Sequence, residues 1–287
     1  MVAPLSTSPG ATSDMSASAA DSVANEHAIA TWSNRACGTL SHEENAATGS
    51  LAFFNRMVER RYERDDPWVL AILNFPTMAG KEVLEIGHGM GCDLVHVAKA
   101  GGIAHGVDIT PNHHEIAKKH FAVNGLQADL HLCDASELPF ASNSMDIVFS
   151  LGVLHHTNDT VRCISEAYRV LKPGGTFIMA LYHFWSLPHL HHLLYYGLWH
   201  GGLRRLGYRN LLSTIEGGAD GVTIKPLVKL YTRRVVRTIL ADFSSVDIQV
   251  CGLAYERIPL VGRFLPALLG KALERHWGWY VVCHATK

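Results

Sequence analysis

Val83-Leu84-Glu85-Ile86-Gly87-His88-Gly89-Met90-Gly91-Cys92-Asp93 is the stretch on which the reading of this chain turns. Apolar residues run up to an acid, glycines then alternate, and a helix-like pattern opens at Leu94. A strand, a tight turn and a helix in that order bring backbone N–H groups close to a bound ligand, and glycine permits the approach because no Cβ stands in the way. Two features separate this turn from a dinucleotide fingerprint: the acid two residues before the first glycine, and G-x-G-x-G spacing in place of G-x-G-x-x-G. Two further apolar runs, residues 103–107 and 130–133, lead into Asp108 and Asp134.

On these residues the chain resembles the class I S-adenosylmethionine-dependent methyltransferases. The resemblance keeps its register from about Lys81 to Tyr182. Glu137-Leu138-Pro139-Phe140, Met145-Asp146-Ile147-Val148-Phe149-Ser150, Gly152-Val153-Leu154-His155-His156-Thr157 and Val170-Leu171-Lys172-Pro173-Gly174-Gly175 follow in the family's order, and the GVLHH-type motif is similar to that of its small-molecule branch. The resemblance implies an α/β fold: a doubly wound, mostly parallel seven-stranded Rossmann-like sheet with an N-terminal helical cap and helical insertions, its last strand antiparallel beside the fifth. It implies S-adenosyl-L-methionine as cofactor, bound by Glu85, Gly87, Gly89, Gly91, Asp108, Ile109, Asp134, Ala135, Leu151 and Tyr62. Asp108 would take the ribose hydroxyls and Asp134 the adenine amino group, while Arg60, Arg61 or Tyr62 would meet the methionine carboxylate.

The chain divides into a Ser-, Ala- and Thr-rich tail (residues 1–25), a helical cap (26–78) and a methyltransferase domain (79–287) with insertions near 187–230 and 256–276. The tail has too few large apolar side chains to offset its ordering entropy. Strands are expected near 82–86, 103–107, 128–132, 145–150 and 176–182, and helices near 92–100, 112–123 and 160–171; that alternation means a parallel, doubly wound sheet. Lys172-Pro173-Gly174-Gly175 is expected to stop the last of these helices with a left-handed glycine. Residues 246–250 and 280–285 are the candidate closing strands, residues 187–199 read as an apolar-aromatic helix, and Gly217-Gly218-Ala219-Asp220-Gly221 as a loop.

With 287 residues, 48% of them hydrophobic, the chain can bury a full core. A formal charge of −1 argues against a nucleic-acid partner, which would need a basic face. Six scattered cysteines without C-x-x-C spacing signal neither a zinc site nor a disulfide framework and fit a reducing cytoplasm. No segment has the length of a membrane span. His189, His191 and His192 lack acidic or thiolate companions, and among 18 histidines such clustering is expected by chance, so no metal is assigned.

Methyl transfer from a sulfonium is an in-line displacement, so the site must hold donor and acceptor together and exclude water. A base near neutral pKa helps with protonated acceptors, which directs attention to His155 and His156 after the fourth strand and to Tyr182 and His183 after the fifth. The expected activity is transfer of a methyl group to O, N, S or C of a small organic metabolite. Two alternatives stand beside it: an NAD(P)-dependent oxidoreductase on the same kind of fold, and a non-catalytic cofactor-binding module whose 187–199 helix docks a partner or a membrane surface.

Overall fold

Runs of apolar residues without polar alternation, such as Val83-Leu84 and Val148-Phe149, belong to strands covered on both faces. The computed structural model describes residue 29 and residues 49–216, 227–253 and 266–287, and in it those runs lie at the centre of one sheet. Its strands are β1 (Glu82–Ile86), β2 (Ile103–Asp108), β3 (Asp129–Leu132), β4 (Met145–Leu151), β5 (Leu171–Tyr182), β6 (Ser245–Cys251) and β7 (Tyr280–Thr286). They are ordered β3-β2-β1-β4-β5-β7-β6. The first five pair in parallel, and β7 runs antiparallel between β5 and β6, as expected of the last strand.

The helices are α1 (Leu51–Glu59), α2 (Val69–Leu73), α3 (Cys92–Lys99), α4 (Pro111–Val123), α5 (Thr160–Val170), α6 (Leu187–His192), α7 (Gly202–Ser213), α8 (Arg233–Ile239) and α9 (Ala267–Trp277). Successive strand residues point to opposite faces. Leu84, Val148, Phe177 and Met179 pack with Ile164 and Ala167 of α5 and Val236 of α8 on one face. Val83, Phe149, Ile178 and Val282 pack with Leu94, Val95 and Val97 of α3 and with Ile72 and Leu73 of α2 on the other.

The N-terminal cap is anchored separately. Ser50 accepts the Phe53 amide to start α1, and Phe53, Phe54 and Met57 pack on Met90 of the glycine turn and Ile116 of α4. Phe54 stacks on the His120 ring at 4.1 Å. Of the cap expected over 26–78, residue 29 and residues 49–78 are described; the 1–25 tail, the 217–221 loop and residues 256–265 of the 256–276 insertion lie outside the described residues.

Two expectations need correction. α5 ends at Val170 with Leu171 already extended, and β5 begins there. Met145 pairs with Leu171 and Ile147 with Thr176, so Lys172-Pro173-Gly174-Gly175 forms a bulge within the strand pairing, and the left-handed Gly174 (φ 78°) serves that bulge. The 187–199 helix is two pieces, α6 and a π-helical segment (Leu193–Trp199), and α7 follows it. No described helix is long and apolar enough to cross a membrane.

The C-terminal sheet half depends on a close approach at Gly278, where α9 hands over to β7. A Cβ there would lie 2.3 Å from the Cys251 carbonyl oxygen, which is backbone and cannot turn aside. Gly278→Ala is expected to cost about 2 kcal/mol or more, read as a lowered midpoint in denaturant with the slope unchanged; a parent-like midpoint would show that α9 and β6 move apart freely.

Candidate functional site

Because β1 to β5 are parallel, their C-terminal ends share one edge of the sheet, and between β1 and β4 the chain leaves toward opposite faces. A cavity of about 720 Å3 opens along that edge. Glu85, Gly87, Gly89, Asp108, Ile109, Asp134, Ala135, Leu151, His156 and Tyr182 all line it.

The glycine turn is held in a shape that other residues resist. Gly87, Gly89 and Gly91 have φ of 78°, 52° and 73°, and a Cβ on Gly87 would lie 2.5 Å from the Val153 side chain. Gly91 caps α3 rather than lining the cavity. The Gly89 amide donates to Asp108 Oδ2 at 2.9 Å, and the Thr110 amide to Oδ1 at 2.8 Å. Against burial, which pushes it up, the neighbouring His113 and His88 hold the Asp108 carboxyl down at about 2. Asp134 accepts the Ser136 amide at 2.7 Å.

Glu85 is treated oppositely. Burial pushes its carboxyl well up, the negative Asp93 and Asp108 add to that, and Arg61 and the Leu94 amide oppose it. Its Oε2 is buried without a hydrogen-bond partner among the described residues. An acceptor left in that condition beside a cavity fits a ligand that brings a donor or a positive charge.

Asp93, in the first turn of α3, is the residue the sequence did not single out. Its carboxylate is buried and takes Arg61 Nε at 2.7 Å, a second Arg61 nitrogen, and the Tyr62 hydroxyl at 2.7 Å. Arg61 also reaches Asp66, which accepts the Trp68 indole N–H. Tyr62, expected at the cofactor, therefore has its hydroxyl on Asp93, and the residue does not line the cavity; Arg60 and Arg61 do. An acid among Leu94, Val95 and Val97 was the available signal, since a carboxylate buried in such company needs a cation, and Arg60-Arg61 is the nearest pair in the cap.

The structure separates the candidate catalytic residues. His156 lines the cavity, and its Nδ1 sits 2.8 Å from the Leu227 carbonyl, which fixes the tautomer with the lone pair on Nε2. Burial lowers its pKa while Glu216 opposes the shift. Tyr182 lines the cavity and donates its hydroxyl to the Glu216 carboxylate. His155 lies behind them, fully buried and 3.8 Å from the Tyr182 ring, and both of its ring nitrogens lack partners among the described residues. His183 does not line the cavity: its Nδ1 is 3.2 Å from the Gly278 carbonyl. Cys92 lines the cavity as a thiol, pushed up to about 12 chiefly by burial. Among the described residues no group of three or more His, Cys, Asp or Glu is placed to hold a metal.

Residues 84–179 match the family model described as "Methyltransferase domain". Methyltransferase GfsG of Streptomyces halstedii is 32% identical over 128 residues, 44% of this chain and 42% of its own length. The ubiquinone/menaquinone biosynthesis C-methyltransferase UbiE of Desulfotalea psychrophila is 38% identical over 96 residues, 33% of this chain and 38% of its own. The chain thus spans under half the length of these curated relatives. Phosphoethanolamine N-methyltransferase 2 of Haemonchus contortus, solved with phosphomonomethylethanolamine and S-adenosylhomocysteine, superposes with a TM-score of 0.53 at 20% identity, over 83% of this chain and 58% of that one. The architecture is the Rossmann-like methyltransferase fold.

Two substitutions distinguish the buried acids. Asp93→Ala leaves the Arg61 charge with the longer contact to Asp66 alone and the Tyr62 hydroxyl without its acceptor, and is expected to destabilise the protein by about 3 kcal/mol. Glu85 carries the opposite sign. With its folded pKa raised, its contribution to stability is present below the unfolded carboxyl value, about 4.3, and is lost as pH rises through the higher folded value. Glu85→Gln is therefore expected to keep or raise Tm at neutral pH in thermal unfolding; a loss as large as that of Asp93→Ala would mean that the bond to Leu94 outweighs the desolvation.

Proposed function

We propose that this chain transfers the methyl group of S-adenosylmethionine to a small organic acceptor. One observation carries the reading: the left-handed glycine turn, the half-satisfied Glu85 carboxyl, Asp108 and Asp134 all converge on a single cavity. Glu85 would receive the amino group of the methionine part, Asp108 the ribose hydroxyls, and Asp134 with Ala135 the adenine, between walls formed by Ile109 and Leu151. Tyr62 acts here as a positioning residue, through Asp93. When bound, S-adenosylmethionine supplies an electrophilic methyl on a sulfonium.

The acceptor side is formed by His156 and Tyr182. His156 is kept neutral at physiological pH by burial, so its Nε2 can take a proton from an acceptor without first losing one. Tyr182, oriented by Glu216 and flanked by Trp279 at 4.2 Å, offers an aromatic wall. His155 supports that wall from behind. His183, bonded to Gly278 on the far side, carries no role at the acceptor in this reading.

Calorimetry is the primary test: S-adenosylmethionine and its demethylated product should give binding heat and NAD none, and the reverse pattern would reject the proposal. Asp108→Ala is expected to weaken cofactor binding by about 2–4 kcal/mol, the scale of charge-assisted hydrogen bonds. With an acceptor in hand, His156→Ala should lower kcat while cofactor affinity stays intact. Because burial lowers the imidazole, turnover in the parent should be flat through neutral pH and fall only below the ordinary histidine value of about 6.5; a rise continuing above neutrality would assign the base elsewhere.

A further inference from the structure

The helical segment after β5 turns two of its histidines inward. His189 is buried, with Nδ1 2.7 Å from the Phe184 carbonyl and Nε2 3.1 Å from the Tyr208 hydroxyl. His192 is buried, with Nε2 3.0 Å from both the Leu211 carbonyl and the Thr214 hydroxyl. These bonds fasten α6 and the π-helical segment Leu193–Trp199 to α7 and its C-terminal turn. Beside the exposed His191 and His200, the outward face carries an apolar row: Leu190, Leu194 and Leu198, four residues apart, are 49%, 50% and 61% exposed, and Trp199 is 83% exposed. A helix on the surface of a water-soluble domain ordinarily has the reverse arrangement, and a contiguous exposed apolar stripe marks an interaction surface.

Charge identifies what the stripe meets. No Asp or Glu occurs from residue 183 to residue 215, whereas Arg204, Arg205 and Arg209 are all exposed on α7. Arg205 reaches back to the His200 carbonyl at 3.2 Å, which sets the basic group next to Trp199. Leucines outward, tryptophan and tyrosine at one end and arginines beside them are the composition of a surface that lies in a bilayer interface, the apolar side chains at the acyl boundary and the cations among headgroups. We propose that residues 185–213 seat the protein on an anionic membrane surface without crossing it, with Leu194, Leu198 and Trp199 inserted and Arg204 and Arg205 on lipid phosphates.

The test is co-sedimentation of the full chain with vesicles of phosphatidylcholine alone and of phosphatidylcholine mixed with phosphatidylglycerol. The parent is expected to sediment with the mixed vesicles, less as salt rises, and far less with the neutral ones. Replacing Leu198 and Trp199 together by serine should lower partitioning by about tenfold or more, and Arg204→Ala with Arg205→Ala should remove most of the preference for anionic lipid. Val161→Ser, at an exposed apolar residue on α5, should change nothing. Quenching of the parent's tryptophan fluorescence by brominated acyl chains in the same vesicles requires no variant and should be strong. Failure of the parent to bind either vesicle, or parent-like binding by the Leu198/Trp199 variant, overturns the proposal. A concentration-dependent dimer in light scattering that this variant abolishes, without vesicle binding, would give the face to a second copy of the chain and equally overturn it.

Discussion

The bond from the Gly89 amide to the Asp108 carboxylate ties the turn after β1 to the end of β2, and the geometry of the sheet edge depends on it. It forms only if the turn enters the left-handed region at Gly87 and Gly89 and passes close to Val153, a path a side chain at Gly87 would block. With the turn fixed, α3 starts at Cys92 and presents Asp93 in its first turn, where the helix dipole favours a negative charge. Asp93 in turn recruits Arg61 and Tyr62 and so pins the N-terminal cap over the cavity.

Three buried carboxylates lie within this small region, and each is handled differently. Asp108 is held by amides and histidine and stays ionised; Asp93 is matched by a guanidinium and a phenol. Glu85 is satisfied on one oxygen only, and burial drives its carboxyl toward the protonated form. An arrangement optimised for stability alone would not leave it so, because an unmet buried acceptor costs on the order of 1–3 kcal/mol. The cost is intelligible if a positively charged ligand group completes the set.

Much of this was legible in the sequence because it rests on local rules. Strand positions follow from apolar runs, the turn from its glycines, and Asp108 and Asp134 from their places at strand ends; Gly87, Gly89, Asp108 and Asp134 line the cavity. The order of the closing strands came from the resemblance, since β6 and β7 alone say nothing of which neighbour they pair with. What the sequence does not disclose needs tertiary partners. Lys172-Pro173-Gly174-Gly175 has the composition of a helix stop, yet Met145 pairs with Leu171 and turns the same residues into a bulge. Nothing local to Tyr62 announces that Asp93, thirty-one positions later, takes its hydroxyl. His183 and His155 follow strand ends as His156 does, but the 3-10 turn Leu154–His156 and the end of β5 each direct adjacent side chains differently, and only His156 and Tyr182 reach the cavity.

The proposed function stands or falls on whether the Glu85 carboxyl, pushed up by burial, takes a cationic partner in the cavity. Calorimetry of S-adenosylhomocysteine binding near neutral pH, repeated in buffers of different ionisation enthalpy, measures the protons exchanged on binding. Protons should be released by the parent and not by Glu85→Gln, since the ligand's ammonium would lower the raised carboxyl pKa. Binding heats that are independent of buffer in the parent, or identical release from the variant, would contradict it.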